Sequence, residues 1–116
     1  MSIRLEKPWQ DLSPGNVAAL TGELGVYQLA DESGHVLRIG FAGGRSLFGL
    51  RGELAKALKD HDGRRMRFRL EINHQYTSRY EELLMIHMAD HGRLPEGNAH
   101  EAKRKIGRLS IGRTPS

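Results

Sequence analysis

Alternating apolar and polar positions predict three β-strands. Apolar runs on either side of Asp31–Gly34, a stretch of turn residues, predict a β-hairpin over residues 25–40. Strict alternation predicts a third strand over residues 64–72, with one apolar face and one face that is nearly all arginine. We expect the three strands to form one small antiparallel sheet.

Helical spacing of apolar residues predicts three helices around these strands. A serine followed by a proline predicts a short helix over residues 14–20. Apolar residues three and four apart predict a helix over 47–59, with a start near Leu50 as the alternative because Gly49 and Gly52 weaken the first turn. A Ser-x-x-Glu capping box predicts another helix over 78–91. The element order predicts an α/β (α+β) fold, a small three-stranded antiparallel sheet flanked by helices.

Length and composition limit the domain organisation. The chain has 116 residues, enough for one core, and 38% of them are hydrophobic. We expect an N-terminal arm with the short helix over 1–24, the main domain over 25–99 and a basic tail over 100–116. The arm carries Trp9, which we expect to dock as one large aromatic side chain.

Several classes of protein are excluded by composition. There is no cysteine, which excludes a disulfide framework, a zinc–thiolate site and a cysteine nucleophile. No apolar stretch approaches the ~18–20 residues of a membrane span, and the first 20 residues do not resemble a secretory signal. A cytoplasmic protein with no membrane partner is therefore expected.

The basic charge lies mainly at the C-terminus. The net charge is +4, and residues 1–99 hold 13 cations and 13 anions. The tail therefore carries the whole excess, which suits DNA or another nucleic acid as partner; its densest part is Lys103, Arg104 and Lys105. The alternative is a terminus that only improves solubility.

Two further features are candidates for binding phosphate. Arg65, Arg67 and Arg69 lie on one face of the predicted third strand, where the alternative is a solvated face with cross-strand carboxylates. The loop over residues 40–45, which ends in Arg45, follows a strand and precedes a helix. Its backbone N–H groups suit a phosphate, although a plain turn explains it equally well.

One carboxylate of the predicted third helix lacks a local role. Glu81 is three residues after Ser78, where it completes the capping box, whereas Glu82 has no such partner. Because Glu82 lies beside the apolar stripe, it is expected to be either paired with an arginine or functional.

Taken together, these segments resemble the GIY-YIG nuclease family over residues 24–98. Each motif is short, but their order and spacing agree with the family. The matching segments are Gly25-Val26-Tyr27, Arg38-Ile39-Gly40, Arg51, Tyr80 to Ile86 with Glu82 as the family's glutamate, and Pro95 to Asn98.

The resemblance implies a divalent-metal-dependent endonuclease that cleaves DNA phosphodiesters. Glu82 would hold Mg²⁺ or Mn²⁺, which take oxygen ligands and keep their waters. Tyr27 would position or deprotonate the attacking water, and Arg51 would neutralise charge on the phosphoryl oxygens. Asn98 would support the geometry of the site.

The chain also departs from the family at three positions. Arg38 replaces the tyrosine of the second motif, Phe41 a frequent lysine, and Ala55 a tyrosine or histidine. An arginine does not give up its proton at working pH, so Arg38 is compatible with phosphate binding and unfavourable to hydrolysis. The alternatives are therefore a degenerate domain that binds nucleic acid or a protein partner without cleavage, and an interaction domain, with homodimerisation as one form.

The hairpin register decides whether Tyr27 and Arg38 share a site. A four-residue loop sets Tyr27 opposite Arg38, and a five-residue loop sets it opposite Ile39. We predict the former, or a bulge with the same effect.

Overall fold

One antiparallel sheet forms the centre of the molecule. The computed structural model describes residues 4–61 and 64–98. Its strands run in the spatial order β1-β4-β2-β3, and their bounds are β1 Gln10–Asp11, β2 Gly25–Asp31, β3 Val36–Ala42 and β4 Met66–Ile72. The α+β class is confirmed, but the predicted number of three strands is wrong. The additional strand, β1, has only two residues and so leaves no periodic pattern.

Three helices and a short 3₁₀ turn complete the fold. They are α1 Pro14–Ala18, α2 Gly49–Asp60, α3 Tyr76–His91 and the 3₁₀ turn Glu96–Asn98. The predicted start of α1 is confirmed, because the Ser13 hydroxyl accepts a hydrogen bond from the Asn16 N–H at 3.2 Å. None of the helices in residues 4–61 and 64–98 has the length and apolar character needed to cross a membrane.

The predicted start of α3 at Ser78 is wrong by two residues. The helix begins at Tyr76, and its N-cap is Gln75, which makes no side-chain cap hydrogen bond. The chain turns into the helix earlier because the Asn73 side chain accepts a hydrogen bond from the Gln75 N–H at 2.8 Å. Ser78 is thus inside the helix, so the inferred capping role of Glu81 does not apply.

The two faces of the sheet carry separate hydrophobic layers. One layer joins β2 and β4 to α1 and α2 and includes Tyr27 and Phe68, both buried. The other joins β2 and β3 to α3 and includes Val26, Ile39 and Leu83. Because side chains alternate along a strand, the neighbours Val26 and Tyr27 enter opposite layers. Tyr27 and the core side chains of α3 therefore pack on different faces of the sheet.

The hairpin combines a five-residue connection with a bulge. Ala30 pairs with Val36, but the register shifts by one residue so that Leu29 pairs with Arg38 and Tyr27 with Gly40. The predicted pairing of Tyr27 with Arg38 is therefore wrong, because the bulge inserts Leu37 as an extra residue. Arg38 and Gly40 are two residues apart on one strand, so Tyr27 and Arg38 still share a face of the sheet.

A candidate phosphate-binding cleft

Tyr27 reaches the open edge of the sheet by lying across Gly40. A Cβ atom at position 40 would overlap the Cζ and hydroxyl atoms of Tyr27. The ring is buried, with 4% of the residue exposed, so it has little room to move aside. Glycine at position 40 thus allows the Tyr27 hydroxyl to lie at the β3 edge.

We expect Gly40→Ala to displace the Tyr27 ring and to destabilise the fold. The added methyl overpacks a buried contact, which costs about 1–3 kcal/mol. Urea unfolding followed by the fluorescence of the single tryptophan, Trp9, measures the change. Gly15→Ala is the matched control, because a Cβ at position 15 meets nothing within 4 Å. Equal stability of the two variants would contradict the close packing of Tyr27 on Gly40.

The loop after β3 is held in a fixed turn that presents Arg45. The Gly43 N–H donates to the Ser46 hydroxyl at 3.0 Å, and the Gly44 N–H donates to the Tyr76 hydroxyl at 3.1 Å. These two amides are therefore already bonded within the protein, which weakens the prediction that they cradle a phosphate. Arg45 itself is exposed and has no ion-pair partner among residues 4–61 and 64–98.

These groups converge on one cleft of about 340 Å³ at the β3 edge, which we call the Tyr27 cleft. Its polar side chains are two phenols, two guanidinium groups, a hydroxyl and a carboxylate. The complete lining is Tyr27, Arg38, Gly40, Phe41, Arg45, Ser46, Glu53 and Tyr80. Two cations against one anion make the cleft a net positive site.

Aromatic rings form the wall of this cleft on the α3 side. Phe41 stacks on Tyr76 with ring centroids 5.6 Å apart and meets the edge of Tyr80 at 4.9 Å. Such pairs add to the stability that burial provides. Phe41, which replaces a frequent lysine in the resemblance, therefore holds the wall in place and supplies no charge.

The 3₁₀ turn closes the open edge of β3. The Asn98 side-chain amide donates to the Ile39 carbonyl oxygen, and its Oδ1 accepts from the Ile39 N–H, both at 2.7 Å. Asn98 is fully buried, so it takes the place of a neighbouring strand at this point. Arg38 donates to the Gly97 carbonyl oxygen at 2.7 Å, which ties its guanidinium to the same turn. Asn98 and Arg38 thus attach the 3₁₀ turn to β3, while the role of Asn98 in a catalytic site stays a prediction.

The other three implied catalytic residues, Arg51, Glu82 and Asn98, are not among the residues that line the Tyr27 cleft. Arg51 is exposed on α2. Glu82 is on α3, and it borders a different, shallow groove on the outer face of that helix together with Met85.

Glu82 is instead part of an ion-pair network centred on Arg79. Arg79 donates to Glu82 and makes two hydrogen bonds to Glu71 at 3.0 and 3.1 Å. The Arg79 side chain is 11% exposed, so it is largely removed from water. Burial raises the pKa of the Glu71 carboxyl, but hydrogen bonds from Arg79 and Asn73 outweigh it and lower that pKa overall. Glu82 therefore follows the paired alternative of the sequence analysis.

The arginine side chains on one face of β4 also contact other side chains of the protein. Arg65 and Arg67 each lie 3.9 Å from a carboxylate, that of Glu32 and of Asp11 respectively. Arg69 donates to Gln28 at 2.7 Å, and its guanidinium lies 4.1 Å from the centre of the Trp9 ring. Cross-strand and arm contacts thus account for these arginines. The basic tail, with Lys103, Arg104 and Lys105, lies outside the described residues.

Glu53 was not recognised from the sequence, although it lines the Tyr27 cleft. It sits between Leu50 and Leu54 on α2, next to the buried stripe of that helix. Its position beside the buried stripe of α2 is the one indication in the sequence, whereas the family resemblance selects Arg51 on the same helix. Which side of α2 faces the β3 edge depends on tertiary packing.

Comparison with known proteins places the chain in a family without adding a function. A family model described as a domain of unknown function (DUF7508) matches residues 3–90. Neither the curated proteins nor the solved structures gave a match.

Proposed function

We propose that this chain, which belongs to the DUF7508 family, is a nucleic-acid-binding domain that holds a backbone phosphate in the Tyr27 cleft without cleaving it. The resemblance to GIY-YIG nucleases supports a nucleic acid as the ligand. The proposal does not require the chain to keep the catalytic apparatus of those enzymes.

The observation that carries this proposal is the composition of the cleft. Two guanidinium groups, Arg38 and Arg45, lie beside the Tyr27 and Ser46 hydroxyl groups in a space of about 340 Å³. Guanidinium groups suit phosphate because their planar N–H donors match its oxygens. Arg45 has no competing carboxylate partner in the described part of the chain. Arg38 donates to the Gly97 carbonyl oxygen, which anchors its guanidinium beside the cleft.

Metal-dependent cleavage through Glu82 does not fit the arrangement of the side chains. Glu82 is paired with Arg79, whose positive charge competes with a cation for the same carboxylate. Arg38 stands where the resemblance requires a second phenol, and it cannot act as an acid or base.

A metal-dependent endonuclease is the second candidate, and Glu53 is the observation that favours it. This carboxylate shares the cleft with the Tyr27 hydroxyl, which gives the site one oxygen ligand of the kind that Mg²⁺ or Mn²⁺ prefers. This candidate expects plasmid nicking in Mn²⁺ that Glu53→Gln abolishes and Glu82→Gln leaves unchanged. Absence of nicking by the wild type would eliminate it.

Binding to a short fluorescent oligonucleotide tests the proposed function. Arg45→Gln is expected to weaken binding about 10-fold, because it removes one charge-assisted contact. It should also reduce the slope of log K against log salt by about 0.7, the value for one phosphate on a single strand. Anisotropy titrations between about 50 and 200 mM salt measure both quantities.

Arg64→Gln is the matched control, because it removes the same charge from the other end of the sheet. Arg64 is exposed and borders a groove with Asp11 and Arg65, away from the Tyr27 cleft. We expect a change in affinity of less than about 2-fold, within the effect of one remote, screened charge. Equal losses in the two variants would show that binding follows net charge and that the cleft has no special role.

A further inference from the structure

Two large apolar side chains project from the loop between β3 and α2. Leu47 is 78% exposed and Phe48 is 75% exposed. The sequence predicted Leu47 in the apolar stripe of a helix over 47–59, with a start near Leu50 as the alternative. The helix begins at Gly49, so the later start is confirmed and Leu47 lies outside the helix. We call Leu47 and Phe48 the apolar tip.

The backbone holds Phe48 in a conformation that its side chain disfavours. Its φ angle is +62°, and no other non-glycine residue described in the structure has a positive φ. The following residues fix this geometry: a Cβ at Gly49 would overlap the carbonyl oxygens of Gly22 and Glu23, and the Leu50 N–H donates to the Glu23 carbonyl at 2.8 Å. A glycine at position 48 would relieve the strain without disturbing these contacts.

The apolar tip lies directly beside the Tyr27 cleft. Ser46 lines the cleft. Phe48 is two residues further along the chain, so the Cα atoms of Ser46 and Phe48 are at most about 7 Å apart. Arg45 precedes the tip and Arg51 follows it; both are exposed. A cationic groove beside an exposed aromatic ring is the combination by which proteins hold single strands, with phosphates on the cations and bases stacked on the ring.

We propose that Phe48, supported by Leu47, stacks on an unpaired base of the strand whose phosphate occupies the Tyr27 cleft. The inference rests on the proposed function and narrows its ligand to single-stranded or locally unpaired nucleic acid. The flanking arginines favour a nucleic acid over an apolar protein surface as the occupant. Phe48 is 75% exposed, so a base can reach its ring.

Binding of oligothymidylate and of an abasic strand of equal length tests this inference, since the two share their phosphates and differ in their bases. Phe48→Gly is expected to weaken oligothymidylate binding about 5- to 100-fold, the range for loss of one stacked base. Its affinity for the abasic strand should change by less than about 2-fold. Its melting temperature should equal or exceed that of the wild type, which excludes unfolding as the cause. Met85→Ala is the matched control, because Met85 is 51% exposed on the outer face of α3.

The outcomes separate this inference from the function on which it rests. If Phe48→Gly binds oligothymidylate as the wild type does while Arg45→Gln binds more weakly, the phosphate site stands and the stacking role is overturned. An equal loss on both strands also overturns stacking. If the wild type binds neither strand, the proposed function fails as well. Phe48-dependent binding to anionic lipid vesicles in that case would assign the tip to a membrane surface.

Discussion

Asn98→Ala is expected to lower the free energy of unfolding by about 3 kcal/mol. The substitution removes both hydrogen bonds to Ile39, and each buried backbone group left without a partner costs about 1–3 kcal/mol. It also opens the β3 edge at the strand that carries Arg38 and Gly40. For a domain of this size, we expect the melting temperature to fall by about 10–20 °C.

Thermal and urea unfolding measure this effect, with Gln75→Ala as the matched control. Gln75 is exposed and its side chain makes no cap hydrogen bond to α3, so the control should change stability by less than about 0.5 kcal/mol. A loss of less than about 1 kcal/mol for Asn98→Ala would show that water can replace the side-chain amide and that the 3₁₀ turn does not secure the edge.

Arg79→Met is expected to lower the free energy of unfolding by about 2 kcal/mol. The variant leaves the Glu71 carboxylate, whose side chain is 24% exposed, with Asn73 as its remaining partner in the network. Breaking a fully buried ion pair costs about 3–5 kcal/mol, and partial exposure reduces this value. Glu82→Gln is the control, because Glu82 is 44% exposed and its pair contributes about 0.5 kcal/mol or less.

The same network predicts how stability changes in acid. The pKa of Glu71 is lowered from its ordinary value of 4.5, so its contribution is complete above that pH and is lost as the pH falls through the lower native pKa. The difference in unfolding free energy between the wild type and Arg79→Met should therefore shrink as the pH is lowered from neutral through the interval below 4.5. A difference that stays constant over this interval would contradict the assigned role of the Arg79–Glu71 pair.

Local patterns in the sequence were enough to predict most of the elements. The Ser13 cap, the hairpin and the alternation in β4 each depend on residues close together along the chain, so the sequence contains the whole signal. The strand β1 and the early start of α3 escaped prediction because each depends on one or two contacts. Gln10 pairs with Phe68 far along the chain, and Asn73 redirects the backbone before the capping motif is reached.

The candidate site was harder to predict because it depends on which layer each helix joins. The sequence placed Tyr27 and Arg38 on one face, but the bulge at Leu37 brought Gly40 opposite Tyr27 and opened the cleft. Glu82 pairs with Arg79 on the same helix, and Glu71 on β4 pairs with the same arginine. The spacing of Arg79 and Glu82 is visible in the sequence, whereas the Arg79–Glu71 pair arises from tertiary packing, which periodicity and spacing do not encode.

The most direct test of the account is an NMR titration of the full chain with a short single-stranded oligonucleotide. If the Tyr27 cleft holds the phosphate, the largest backbone amide shifts should fall at Tyr27 and within residues 38–48, and Arg45→Gln should reduce them together. Shifts that are largest at the hairpin-turn end of the sheet, around Glu32 and Arg65, would contradict the account. Unchanged amide shifts of residues 38–48 at saturating oligonucleotide would also contradict the account.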